Sequence, residues 1–450
     1  MMLNPTKQVT TMMVCMAAAW QAQAAEIYVA PGGSDANPGT KQQPFKSIAH
    51  AQEHVRESGL LGKQPVTVYL REGTYYLSDA LVFTPRDSGT EDAPVRYISH
   101  EGEDVAISGG LKLDLEWEPY RDGILQAKAP AGVAMDQLFV NGERQHMARY
   151  PNYDPNVRVF NGYAEDAFSK ERAARWKNPA GGYMHAIHRA RWGGFHFLIT
   201  GKDENGELTF EGGWQNNRQN RNHNSMRMVE NIFEELDAPG EWFHSADTGV
   251  LYVYPPEGID LDQSEVVTVQ LAHLIEFQGA VGPVPSPGVS PQAMPGDAGS
   301  GDPAYRKMLV SPVSWIILEG ITFRHTARTF METKEPLLRS DWTIYRGGAV
   351  TFTGASDCTV QDCTFDSPGG NAVFVNKWNR RITVKSSHFK EVGASAVAFV
   401  GSPDAVRNPQ FEYRQQNQYD EIDMTPGPKS DDYPADCLVE DCLMARTGRI

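Results

Sequence analysis

Four eight-residue segments in the C-terminal third of the chain repeat one pattern of apolar and polar positions. They are Ile316 to Phe323 (IILEGITF), Cys358 to Phe365 (CTVQDCTF), Ile382 to Phe389 (ITVKSSHF) and Cys437 to Met444 (CLVEDCLM). The first, third and eighth positions are apolar in all four, and the sixth is Ile, Cys, Ser and Cys. The two middle segments start 24 residues apart. A second apolar run follows each of the first three, at 349–352, 372–375 and 396–399. β-Branched and aromatic residues with period-two alternation predict short strands, and their recurrence at a fixed period predicts a solenoid. No amphipathic helix accompanies the repeat, which disfavours helical and leucine-rich solenoids. A parallel β-helix satisfies the pattern: each coil stacks on the last at about 4.8 Å, and equivalent residues form inward-facing columns.

The same rhythm opens the chain. Strands are predicted at 27–29, 66–70, 81–83, 95–98 and 105–107, with turns at Gly73-Thr74, Ser88-Gly89 and Gly109-Gly110. Ser47 is placed to cap a helix whose Ile48, Ala51 and Val55 share one face. Such a helix would cover the open end of the first coil. From residue 111 the period is lost. Leu138 to Val140 followed by Asn141-Gly142 predicts a hairpin with a primed turn, and Trp242-Phe243 followed by Asp247-Thr248-Gly249 predicts another. Residues 26–110 are thus expected to hold the cap and first coils, and 111–278 an inserted all-β domain. The Pro-, Gly- and Ser-rich 279–310 follows as a linker, and 311–450 as the remaining coils. No closing element follows Met444, so the solenoid is expected to be truncated at its C-terminal end, with further coils lying beyond.

Composition then narrows the function. The chain has 450 residues, 40% of them apolar and 22% charged, which suits a core-forming protein. Its formal charge of −16 argues against nucleic acid as a partner. No apolar run reaches the roughly 20 residues that span a bilayer. Lys7, the apolar run Val9 to Trp20 and Ala22-Gln23-Ala24 read as a cleavable signal peptide over residues 1–25. A periplasmic or secreted monomer is therefore expected. Export and the even count of Cys358, Cys363, Cys437 and Cys442 invite disulfides. The repeat argues otherwise, because Cys358 and Cys437 share a column with Ile382 between them. Two coils separate them by about 9–10 Å, beyond the reach of a disulfide. All four read as core thiols, and Ile382 and Ser387 in the matched coil leave no zinc set.

The opening IYVAPGGSDANPGT…PFKSIAHA (27–51) resembles the start of exported right-handed parallel β-helix proteins that act on polysaccharides. LFVNGERQHMARYPN (138–152) and PGEWFHSADTGVLYVYPPEG (239–258) are similar to the β insertion of proteins near glycoside hydrolase family 141. The resemblance spans nearly the whole chain after residue 25. It implies a pectin lyase-like right-handed β-helix and a fucosidase- or xylanase-type hydrolase with carboxylate catalysis. It also implies catalytic acids on later coils, near a Gly-Asp-His-Gly-like motif that this sequence lacks.

Hydrolysis of a glycosidic bond needs two carboxyl groups, one as acid and one as base or nucleophile. Asp366 and Glu391 lie 25 residues apart on neighbouring coils, which makes them the candidate catalytic pair; solvated turn acids are the competing reading. His325, Arg346, Asn371, Lys377, Trp378 and Arg380 are the candidate sugar-binding residues, supplying an aromatic face and planar hydrogen-bonding groups. Asn371 has a rival role as a corner residue that satisfies backbone groups. Trp342, Tyr345 and Tyr413 are further platforms, and the acidic run Tyr419 to Asp432 is longer than a turn needs. A polysaccharide lyase, with Lys377 or Arg380 as base and calcium on the uronate, is the second reading. A non-catalytic carbohydrate-binding protein is the third. No cofactor or metal site is expected, although Asp35 and Asn37 are residue types that can bind calcium.

Overall fold

The computed structural model describes residues 24–216, 221–283, 308–338, 342–412 and 414–448. The expected signal peptide lies almost wholly outside the described residues, as do Tyr413 and most of the linker. The chain is nearly all β, and among the described residues three of the seven sheets are parallel throughout.

Three parallel sheets make up a β-helix-like stack. The first joins Ala25–Val29, Val66–Leu70, Val95–Ser99, Ile316–Glu319, Thr359–Gln361, Thr383–Lys385 and Leu438–Glu440. The second joins Gly73–Tyr76, Val105–Ser108, Thr322–Arg324, Thr364–Asp366, His388–Val392 and Leu443–Thr447. The third runs through Leu81–Phe83, Ile275–Gln278, Val350–Ser356, Val373–Arg380 and Val397–Val400. The four octets pair in the gap-free register that their sequences align in. Thr359 faces Ile317 on one side and Thr383 on the other, and Thr383 faces Leu438.

The octet is a strand, a corner and a strand. Its fifth position, occupied by Gly320, Asp362, Ser386 and Asp441, has φ of 69°, 52°, 48° and 50°. One left-handed residue turns the chain while its neighbours stay extended, and Gly, Asp and Ser tolerate that conformation better than branched residues. Two residues past each octet the same geometry returns at His325, Ser367, Glu391 and Arg446. The first, third, sixth and eighth positions point inward. Phe323, Phe365 and Phe389 stack in one interior row, and Phe83, Phe277 and Phe352 in another. Burying each such ring contributes about 1.5–3 kcal/mol. Ser387 sits in the core column because its hydroxyl donates to Lys385 O and accepts from Cys363 N. All four described cysteines are free thiols.

The helix Ile48–Glu57 begins where Ser47 accepts a hydrogen bond from His50 N. Its Ile48, Ala51 and Val55 join the same core cluster as the first coils. Asp35 accepts from Lys46 N, Ser47 N and Ser47 Oγ, and Asn37 donates to Pro44 O. Both side chains therefore tie the preceding loop to the helix.

Between Ser108 and Ile275 the chain leaves the stack. Gly110–Leu113 and Val266–Val269 belong to an eight-stranded sheet of this excursion, and a five-stranded antiparallel sheet packs beside it. Asn141 and Gly142, at φ 51° and 83°, form the two-residue hairpin turn. Ile275–Gln278 is a strand of the third parallel sheet, so the excursion ends before 275 and not at 278. Ala280–Pro283 pairs antiparallel with Met308–Ser311, which makes the ends of the expected linker a ribbon. The excursion and the loop 325–349 leave the stack at one corner, where the second sheet gives way to the third. That corner is where a site is built.

Candidate functional site

At this corner a cleft of about 440 Å³ opens between the excursion and the coils. Its wall is aromatic, with Trp192, Phe330, Trp342, Tyr345 and Phe374 around it. Trp192 and Trp342 keep 53% and 49% of their surface exposed, unusual for the largest apolar side chain. The polar groups on the wall include His196, Gln215, Asn216 and Asn371. No Asp, Glu, Lys or Arg lines it among the described residues. A flat ring beside amide and imidazole groups is the composition that a sugar ring needs: apolar C–H faces on one side, hydroxyls around the rim.

Two carboxylate–imidazole chains lead to this cleft. In the first, Glu230 Oε1 accepts from Arg328 Nη1 at 2.5 Å and lies 3.2 Å from His185 Nε2. His185 Nδ1 then lies 2.7 Å from His196 Nδ1. Burial opposes ionisation of Glu230, but Arg328 and His185 outweigh it and hold its carboxyl well below the usual range. Burial, and then the neighbouring His185, keep His196 well below the ordinary imidazole range. In the second chain Glu276 Oε1 lies 2.6 Å from His273 Nδ1, and His273 Nε2 lies 2.9 Å from Tyr345 Oη.

A second, polar pocket of about 490 Å³ lies on the other side of the same turns, lined by Arg144, His146, Arg149, Arg158 and Glu391 among others. Arg144 Nη2 donates to Ser367 O and Glu391 O, which fastens the excursion to two successive coils. Burial first, and then Arg328, lower the Arg144 guanidinium to about 10.

The candidate residues divide between several places. Asp366 is in register with Lys390 and pairs with it at 3.1 Å. Glu391 instead occupies the corner position equivalent to Ser367 and pairs with Arg446. The 25-residue spacing against a 24-residue coil therefore offsets the two carboxylates by one position, and each has a cation beside it. His325 is 1% exposed, with Nδ1 2.8 Å from Ser108 Oγ and its ring against Phe139. Burial lowers it to about 3. It fills the seam between coils and excursion. Asn371 lines the cleft, but its amide donates to Gly347 O and accepts from Ser395 N, which is the corner role. Arg346 is held by Glu335 and Asn376. Lys377 is exposed on a bulge, and Trp378 stacks with Arg380, which pairs with Asp431. These three lie at the far end of the third sheet. Of the aromatic platforms, Trp342 and Tyr345 do line the cleft.

Trp192, His196 and Phe330 escaped the sequence reading. One signal for Trp192 and His196 exists: the run MHAIHRARWGGFHF (184–197) reads as a hairpin that sets His185 opposite His196.

No family model matches the chain. It is 38% identical over 92 residues to an uncharacterized protein, YwoF, of Bacillus subtilis (strain 168), a match spanning 20% of this chain and 17% of that one. It is 40% identical over 97 residues to pectate lyase PEL9 of Emericella nidulans, spanning 21% of this chain and 22% of that one. Among solved structures, one described as a glycoside hydrolase superposes with a TM-score of 0.64 at 22% identity, covering 83% of this chain and 67% of the other. That last likeness is one of fold, and it joins the parallel sheets of this chain to an architecture found in a carbohydrate-active protein.

Proposed function

We propose that this protein is an exported, monomeric enzyme that lays a polysaccharide across the corner cleft and hydrolyses its glycosidic bonds. In this reading the solenoid is right-handed, the helix Ile48–Glu57 caps its first coil, and the scaffold is that of the group near glycoside hydrolase family 141. One observation carries the reading: two half-exposed tryptophans and three further aromatic residues ring a cleft whose polar groups are uncharged. Asp366 and Glu391, which lie outside the described lining of the cleft, are the carboxylates assigned to acid and base, with Lys390 and Arg446 as their resting partners.

An eliminating reaction is the second reading. Elimination needs a base and an acid but not a carboxylate pair, and the described lining, which lacks Lys and Arg as well as Asp and Glu, leaves His196 and Tyr345 as its titratable groups. The purified chain incubated with neutral and uronate polysaccharides decides between them. New reducing ends without ultraviolet absorption support hydrolysis, unsaturated products support elimination, and binding without cleavage leaves a carbohydrate-binding protein.

A further inference from the structure

We infer that His196 is the residue that reads a sugar hydroxyl in the cleft, presented as a hydrogen-bond acceptor by Glu230 acting through His185. The inference rests on the cleft being where the saccharide binds.

The tautomers follow from one end of the chain. The Glu230 carboxylate is an acceptor only, so the His185 Nε2 facing it at 3.2 Å carries a proton. A His185 that gives its ring proton to Glu230 in this way presents a bare Nδ1 to His196. The proton in the 2.7 Å contact between the rings belongs to His196 Nδ1, and His196 Nε2 is left with its lone pair. Among the described residues no protein group hydrogen-bonds Nε2 to occupy that lone pair. Gly194 keeps the approach open: a β-carbon at that position would stand 3.2 Å from Nε2. The charged and titratable groups around the two rings are Glu230, Arg328, Asp136 and Tyr183. Arg328 bonds both Glu230 and Asp136, so the carboxylate that orients His185 is itself fixed.

The amides and hydroxyls of the wall can each donate or accept, whereas a bare imidazole nitrogen only accepts, so at that point the cleft selects a ligand by the hydroxyl it offers. An Nε2–H tautomer, the commoner form of a free imidazole, would turn the same position into a donor and favour an acceptor group such as a ring oxygen or a carboxylate.

The test is made on the full chain with ¹⁵N-labelled histidine at pH 8. Long-range ¹H–¹⁵N spectra are expected to show His196 protonated at Nδ1 and bare at Nε2. Titration with a set of xylo-, cello-, galacto- and fuco-oligosaccharides is expected to shift Nε2 with at least one of them. Gly194→Ala is expected to weaken that binding at least ten-fold while leaving the fold and the His196 tautomer unchanged. Glu230→Gln, whose amide can donate to His185, is expected to move the His196 proton to Nε2; Gly194→Ala keeps the test intact if that variant does not fold. A wild-type His196 carrying its proton on Nε2 overturns the inference whatever binds. Hexagalacturonate binding that leaves His196 unmoved, with no neutral sugar bound, overturns it while the cleft reading stands. If no saccharide perturbs the cleft at all, the cleft reading falls and the inference with it.

Discussion

Phe365 and Phe389 stack one coil apart, with ring centroids 4.8 Å apart and planes 3° from parallel. Phe323 continues the row on the other side at 5.0 Å. The spacing is that of hydrogen-bonded strands, so the rings meet because the backbone ladders already bring them together.

Replacing the middle ring by Phe365→Ala is expected to cost about 3–5 kcal/mol, since both stacked neighbours lose contact and a closed stack refills a void poorly. The shift in the denaturant midpoint measures it. A loss below about 1 kcal/mol would show that the row is not packed as described.

The thiols form the next prediction. Cys358 and Cys363 are buried, and burial raises both to about 12. Cys437 and Cys442 are only half-buried. In the native protein a thiol reagent is expected to label Cys437 and Cys442 first and to reach Cys358 and Cys363 only on unfolding. Mass spectrometry after alkylation without reductant is expected to find all four alkylated once the chain is unfolded. A Cys358–Cys437 disulfide would contradict the coil order.

Glu241 gives a pH dependence. It is 1% exposed, and burial raises its carboxyl to about 8, against the backbone hydrogen bonds from Asp237 and Ala238. The unfolded chain releases this proton near the ordinary value of 4.5 and the folded chain near 8. Between those values folding takes up a proton, so this group removes stability as pH rises. Glu241→Gln is expected to be more stable than the parent by about 1–2 kcal/mol at pH 8, with the gap closing by pH 5. Thermal melts at the two pH values measure it, and equal gaps would refute it.

For the cleft, Trp342→Ala and Trp192→Ala are each expected to weaken oligosaccharide binding by about 1–2 kcal/mol, roughly ten-fold in Kd, with unchanged melting temperature. Calorimetric titration measures it. Unaltered affinity in both would move the sugar site elsewhere, the polar pocket around Arg144 and Glu391 being the first alternative to test.

The sequence alone determined the parallel stack. Each octet carries its own corner residue and inward pattern, so the register of Cys358, Ile382 and Cys437 was legible as spacing. The helix after Ser47 and the Asn141-Gly142 hairpin were legible for the same reason, since capping and primed turns are decided by residues a few positions apart. The cleft was not. Its wall joins Trp192 and His196 of the excursion to Trp342 and Tyr345 of the loop 325–349 and to Asn371 of the coils, residues more than 140 positions from the first two that only the shared corner brings together. The one-residue offset between Asp366 and Glu391 was equally hidden, because it depends on which positions take the left-handed corner. Local rules set each strand and turn, but a site made by two excursions from one corner exists only after the whole stack has closed.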